Sequence, residues 1–245
     1  LAAGINTAGY VTGYRGSPLG GMDREFGRAK RFLDDHHVKF HPAVNEDLAA
    51  TAVWGTQQIN LFERAKYDGV FGMWYGKGPG VDRSGDALKH GNAFGSSPHG
   101  GVLVVCGDDH GVVSSSMPHQ SDQALMAWSM PVLNPASVEE YLSFGLYGWA
   151  LSRFSGAWIG FKAISETVES AASVALPDGR AMVLGGAHVG PTRRNSDETL
   201  LQRRASMDLP EGEDGSLLAG RDMLPLGGSV QVEVLGLPPP ARRLK

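Results

Sequence analysis

Short apolar runs of β character alternate with segments of helical period from the start of the chain to about residue 174, and this alternation leaves few folds open. Strands buried on both faces read as continuous apolar runs, and parallel strands need a crossover helix between them. The runs fall at residues 9–14, 38–41, 69–74, 102–106, 131–133 and 157–161. Residues 22–33 place Phe26, Ala29, Phe32 and Leu33 on one helical face. A second helix starts at Asn45 or Asp47 and continues past Ile59, with Leu48, Ala52 and Ile59 as its core stripe. Residues 81–94 carry another, and Ser137 with Glu140 forms a capping box ahead of Tyr141, Leu142 and Trp149. The fold class expected is α/β, a three-layer, doubly wound, mainly parallel sheet of about six strands. Ligands of such sheets meet the loops at the carboxyl ends of the strands.

The chain has 245 residues, room for one large or two small domains, and its aromatic residues decide between these. All nine Phe, six Tyr and five Trp lie between Tyr10 and Phe161. Large aromatics supply much of a core, so residues 1–178 are expected to form one domain and residues 179–245 a tail. The tail carries Arg193-Arg194, Arg203-Arg204, an acidic knot from Glu211 to Asp214 and Pro238-Pro239-Pro240, with only a weakly alternating stretch at residues 229–235. It is expected to be poorly ordered, a partner-dependent arm, or a non-native end. A formal charge of -4 with mixed signs argues against a nucleic-acid or membrane-surface binder. No apolar run approaches the roughly 20 residues of a membrane helix. The single cysteine, Cys106, excludes an internal disulfide framework and a four-thiolate cluster carried by this chain alone, and a cytoplasmic location is expected. The chain begins at Leu1 with no visible signal peptide and is expected to be a fragment, truncated at its amino terminus.

Four loops carry the polar chemistry. The first is Gly13-Tyr14-Arg15-Gly16-Ser17-Pro18-Leu19-Gly20-Gly21, which leads from a strand into a helix. Its glycines let backbone amides approach an anion, and Arg15 offers a fork that matches a carboxylate; an ordinary strand-to-helix turn with a surface arginine accounts for it equally. The second, His41-Pro42-Ala43-Val44-Asn45-Glu46-Asp47, puts Glu46 in the first turn of a helix. Spacing favours capping by Asn45 with acids complementing the dipole; a catalytic carboxylate is the alternative, and it requires burial against a ligand. The third, Gly76-Lys77-Gly78-Pro79-Gly80, is no P-loop, because no Ser or Thr follows Lys77, and it lacks the dinucleotide glycine pattern. The fourth runs from Gly107-Asp108-Asp109-His110 through Ser114 to His119-Gln120-Ser121-Asp122, rich in proton-transfer groups but without a helical pair of histidines for zinc or a nucleophile elbow. No metal ligand is assigned.

Four blocks in order together resemble one family. They are Gly13 to Gly21, then Asn45-Glu46-Asp47-Leu48-Ala49-Ala50-Thr51-Ala52-Val53-Trp54-Gly55, then Gly72-Met73-Trp74-Tyr75-Gly76-Lys77-Gly78-Pro79-Gly80-Val81-Asp82-Arg83-Ser84-Gly85-Asp86, then Gly107-Asp108-Asp109-His110 with Ser114-Ser115 and Pro118-His119-Gln120-Ser121. This text, within residues 1–175, resembles the amino-terminal part of the fused indolepyruvate ferredoxin oxidoreductases, in the 2-oxoacid:ferredoxin oxidoreductase group.

The resemblance implies a thiamine diphosphate fold, and within it the pyrimidine-binding domain. It implies that Glu46 hydrogen-bonds N1′ of the aminopyrimidine and so promotes loss of the thiazolium C2 proton. An aryl 2-oxoacid is then decarboxylated, electrons pass through [4Fe-4S] clusters to ferredoxin, and coenzyme A takes the acyl group. By the same resemblance Tyr75, Gly76, Gly78, Pro79, Gly80 and Asp109 line the cofactor beside Glu46, and Arg15, Ser17, Pro18, Ser114 and His119 line the oxoacid. The family's motif for diphosphate and Mg2+, Gly-Asp-Gly with a later Asn, is absent, since Gly107-Asp108-Asp109 does not match it. The clusters and the diphosphate-binding part are therefore expected in other domains of the same enzyme, with a homo-oligomer completing the site and this chain inactive alone. A non-catalytic assembly module that docks partner domains is the alternative.

Overall fold

The computed structural model describes residues 4–175, 181–184 and 233–234. Six strands form one sheet: β1 (Thr7–Gly13), β2 (Val38–Phe40), β3 (Gly69–Lys77), β4 (Val102–Asp108), β5 (Val132–Leu133) and β6 (Ile159–Ile164). Every pairing is parallel and the order is β2-β1-β3-β4-β6-β5. The chain leaves β1 toward β2 and leaves β3 toward β4, so the winding direction reverses between β1 and β3. In open α/β sheets the carboxyl ends of the strands at such a reversal are the usual ligand position.

Helices cover both faces, which makes three layers. α1 (Met22–Arg28) and α2 (Lys30–Asp35) lie on one face. There Leu19, Phe26 and Leu33 pack with Val11, Met73, Tyr75, Leu103, Val105, Ile159 and Phe161, joined by Tyr141, Phe144 and Trp149 of α7 (Val138–Ser155). The opposite face carries α3 (Glu46–Thr56), α4 (Gly78–Arg83), α5 (Gly85–Phe94) and α6 (Asp122–Ala127). Here Ala49, Ala50, Val53, Val81, Leu88 and Leu125 pack on Trp74, Val102, Val104, Cys106 and Trp158. Strand residues alternate between the two cores, as period-two side chains must.

Several boundaries depart from the sequence reading. β3 continues to Lys77 and β4 to Asp108, because glycine-rich ends that resemble loops still pair with their neighbours. The helix expected over 22–33 is divided at Ala29, just after Gly27 lowers helix propensity. The one expected over 81–94 begins three residues earlier and breaks at the buried Ser84, where Gly85 lies under the Trp128 ring. α3 stops at Thr56 instead of passing Ile59; the buried Gln57 donates to the Val70 carbonyl at 2.8 Å and accepts from the Ser97 amide at 3.1 Å, tying the helix end to the sheet. Its core stripe is Ala49, Ala50 and Val53, whereas Leu48 is 52% exposed.

α7 begins as expected. Ser137 Oγ accepts from the Glu140 amide and the Glu140 carboxylate accepts from the Ala136 amide at 2.6 Å, one residue outside the usual box. Ser137→Ala should lower stability by about 1 kcal/mol in chemical denaturation.

A short helix α8 (Ser165–Val168) follows β6. Beyond it β7 (Ala172–Ala175), β8 (Ala181–Leu184) and β9 (Glu233–Val234) form a separate antiparallel sheet in the order β7-β8-β9. The rest of the expected tail at 179–245 lies outside the described residues. Among the described residues no helix is long and apolar enough to cross a membrane.

Candidate functional site

The carboxyl ends of β1, β3 and β4 carry two groups of polar residues, one on each side of the sheet edge. On the α3 side the central residue is Glu46. Asn45 caps α3, its side chain accepting from the Leu48 amide at 2.8 Å, and this fixes Glu46 in the first turn. The Trp74 indole N–H donates to the Glu46 backbone carbonyl at 2.8 Å. The residue is only 8% exposed, yet none of the hydrogen bonds or ion pairs found among the described residues ends on its carboxylate.

Two glycines, Gly76 and Gly80, pack against the Glu46 side chain. A Cβ at Gly80 would lie 2.5 Å from Glu46 Cγ and 2.6 Å from Oε1, and one at Gly76 would lie 3.3 Å from Cγ and 2.7 Å from the Trp74 ring. No larger residue fits at 80 while Glu46 keeps this position. On the far side of the same turn a Cβ at Gly78 would sit 2.0 Å from His119 Cγ. Pro79, between them, is exposed. Glu46, Gly76, Gly78, Gly80 and His119 therefore form one cluster.

Tyr75 does not join it. Adjacent to Trp74 and Gly76 on a strand, it points to the other core, where its hydroxyl donates to Asp23 at 2.6 Å. Burial pushes the Tyr75 hydroxyl far above the usual tyrosine range; Asp23 reinforces the shift and Arg15 opposes it. That contribution places Arg15, which is exposed, within electrostatic reach of Tyr75. Ser17 follows, its hydroxyl hydrogen-bonded to that of Ser114, and Pro18 packs with Leu19 against Gly107. Arg15, Ser17, Pro18 and Ser114 thus form the second group, on the α1 side. The loop of residues 109–119 straddles the edge, with Ser114 on one side and His119 on the other.

Asp109 supports that loop from below. Its carboxylate accepts from the Val113 and Ser114 amides, each at 2.9 Å, and its backbone carbonyl accepts from the His119 amide at 3.2 Å. The Ser114 amide is the main reason its pKa lies below the ordinary aspartate value, with Val113 adding to it and burial opposing. A depressed carboxylate stabilises the fold above about pH 4, where an unfolded aspartate is ionised, and that stabilisation is lost as the pH falls through the lower folded value. Asp109→Asn should therefore lower the melting temperature at neutral pH, and the gap to the parent should narrow as the pH is taken below 4.

The sequence reading missed three contributors. Trp74 holds the Glu46 backbone. Asp108, fully buried, accepts from the Ser121 amide at 2.9 Å and the Ser121 hydroxyl at 2.5 Å. Lys162, buried in β6, reaches Asp122 at 2.5 Å and Asp108 at 3.4 Å. Burial works against ionisation of Asp122, but the hydrogen bond and charge of Lys162 outweigh it and hold the carboxyl below its usual value. A lone lysine inside an apolar strand was the available signal. Among the described residues no group of three or more His, Cys, Asp or Glu could hold a metal ion.

No protein-family model matches the chain, and no curated protein matches it. At the strand ends stand a largely buried glutamate at a helix start, whose carboxylate has no partner among the described residues, an exposed arginine on the opposite side, and a polar loop spanning the two.

Proposed function

We propose that this chain supplies the aminopyrimidine-activating half of a thiamine diphosphate site, in an oxidoreductase resembling the indolepyruvate ferredoxin oxidoreductases. One observation carries the reading: Glu46, only 8% exposed, packs against Gly76 and Gly80 at the strand ends, and no hydrogen bond or ion pair among the described residues ends on its carboxylate. A largely enclosed carboxylate with no protein partner is free to share a proton with a ring nitrogen of a ligand. The carboxylate fits an aminopyrimidine for this reason.

Bound thiamine diphosphate supplies a carbon nucleophile and an electron sink for decarboxylation of a 2-oxoacid. With the cofactor bound, Glu46 would share a proton with N1′ of the ring, as a general acid–base group. Asn45 and Trp74 fix the Glu46 backbone, so the carboxylate swings only about its own side-chain torsions. Arg15 offers a bidentate fork to the oxoacid carboxylate, and the Ser17 and Ser114 hydroxyls border the same side. An aryl 2-oxoacid, coenzyme A and ferredoxin are the proposed reactants. The diphosphate with its Mg2+ and the iron–sulfur clusters belong to other domains of the same enzyme.

The test is deuterium exchange at the thiamine C2 position in the complete enzyme, followed by NMR after acid quench. Glu46→Gln should slow exchange by at least tenfold relative to the parent. An unchanged rate contradicts the assignment.

A further inference from the structure

The first turn of α4 is held between two side chains from distant parts of the chain. On one side the His119 ring packs against Gly78; on the other the Glu46 side chain packs against Gly80. The two glycines leave no side chain between the turn and either neighbour. His119 is held from two directions. Its Nε2 lies 3.0 Å from Asp82 Oδ2, on the last turn of α4 itself. Its Nδ1 lies 3.5 Å from Asp108 Oδ1, close enough for an ion pair but without the geometry of a hydrogen bond. Asp108 is a fixed point, since the Ser121 amide and hydroxyl and Lys162 hold it at the end of β4. The ring itself is only 12% exposed.

We infer that His119 is a positioning residue for Glu46. By filling the space against Gly78 and tethering α4 through Asp82, it presses the turn of Gly78 and Gly80 onto the carboxylate. That contact limits where the carboxylate points. Close-packed interiors transmit such displacements instead of absorbing them, and a misplacement of about 1 Å near reacting atoms can cost about 10²-fold in rate. The effect on catalysis rests on the thiamine reading; the chain of contacts from His119 to Glu46 does not.

Two measurements separate these. In the chain itself, labelled at the glutamate side-chain carboxyl carbon, the Glu46 NMR signal is assigned by its loss in Glu46→Gln. His119→Ala should move or broaden that signal, and His119→Gln, whose amide can still donate to Asp82, should return it toward the parent position. Asp82→Ala cuts the tether at a carboxylate that is 64% exposed, where folding is not at risk, and should move the signal in the same direction by less. A Glu46 signal unmoved in Asp82→Ala and in folded His119→Ala overturns the inference. In the complete enzyme, His119→Ala should lower kcat about 10²-fold with little change in KM for the oxoacid, and His119→Gln should recover most of it. A signal that moves while kcat stays unchanged leaves the positioning intact and counts against the thiamine reading.

Discussion

If Glu46 acts as proposed, Glu46→Gln should lower turnover of the complete enzyme by roughly 10²–10⁴-fold, the range that one positioned acid–base group contributes, and leave folding close to that of the parent. Glutamine keeps the shape that fits beside Gly80 but cannot share a proton with a ring nitrogen. Folding should survive because the bonds that fix this residue go to its neighbours and its backbone: the Asn45 side chain caps α3, and the Trp74 indole binds the Glu46 carbonyl. No described ion pair is broken by the change. Oxoacid-dependent reduction of ferredoxin reads the first effect and thermal unfolding the second. Near-normal turnover would remove Glu46 from the chemistry, and loss of folding along with turnover would make the carboxylate a structural group.

Trp74→Ala should destabilise the chain by about 3–5 kcal/mol, as large aromatic truncations in cores do. The indole is fully buried against Ala49, Ala50, Val53 and Val81, and it lies over Gly76. Trp74→Phe keeps most of that packing and removes the N–H that binds the Glu46 carbonyl, so its cost should be smaller, about 1 kcal/mol for the hydrogen bond plus the lost ring volume. Urea unfolding of both variants measures the two parts. Equal destabilisation by Phe and Ala would mean that the indole N–H, not the bulk of the ring, dominates.

How much of this was legible in the sequence depended on which interactions are local. The six strands could be read because strands covered on both faces are continuous apolar runs, and Ser137 could be read because capping chemistry spans four residues. Which face each residue takes was harder. In β3 the resemblance implied both Tyr75 and Gly76; Gly76 shares the Glu46 side with Trp74, whereas Tyr75 turns to Asp23, a matter of strand phase that composition does not reveal. The same parity separates Asp108, which faces His119 and Lys162, from Asp109, which braces its own loop. In α3 apolarity favours Leu48 for the core, but close contact with the bulky Trp74 selects the small Ala49 and Ala50 instead. Glu46 was visible from spacing only as an acid near a helix cap; its burial depends on Gly80, a contact made when α3 and α4 pack side by side.

The half-site claim is tested most directly by titrating thiamine diphosphate, with Mg2+ present, into the isolated chain and into the complete enzyme, using calorimetry. The chain alone should show no tight binding, and binding should become strong and saturable once the diphosphate-binding part is present. Tight binding by the isolated chain, or none by the complete enzyme, would contradict it.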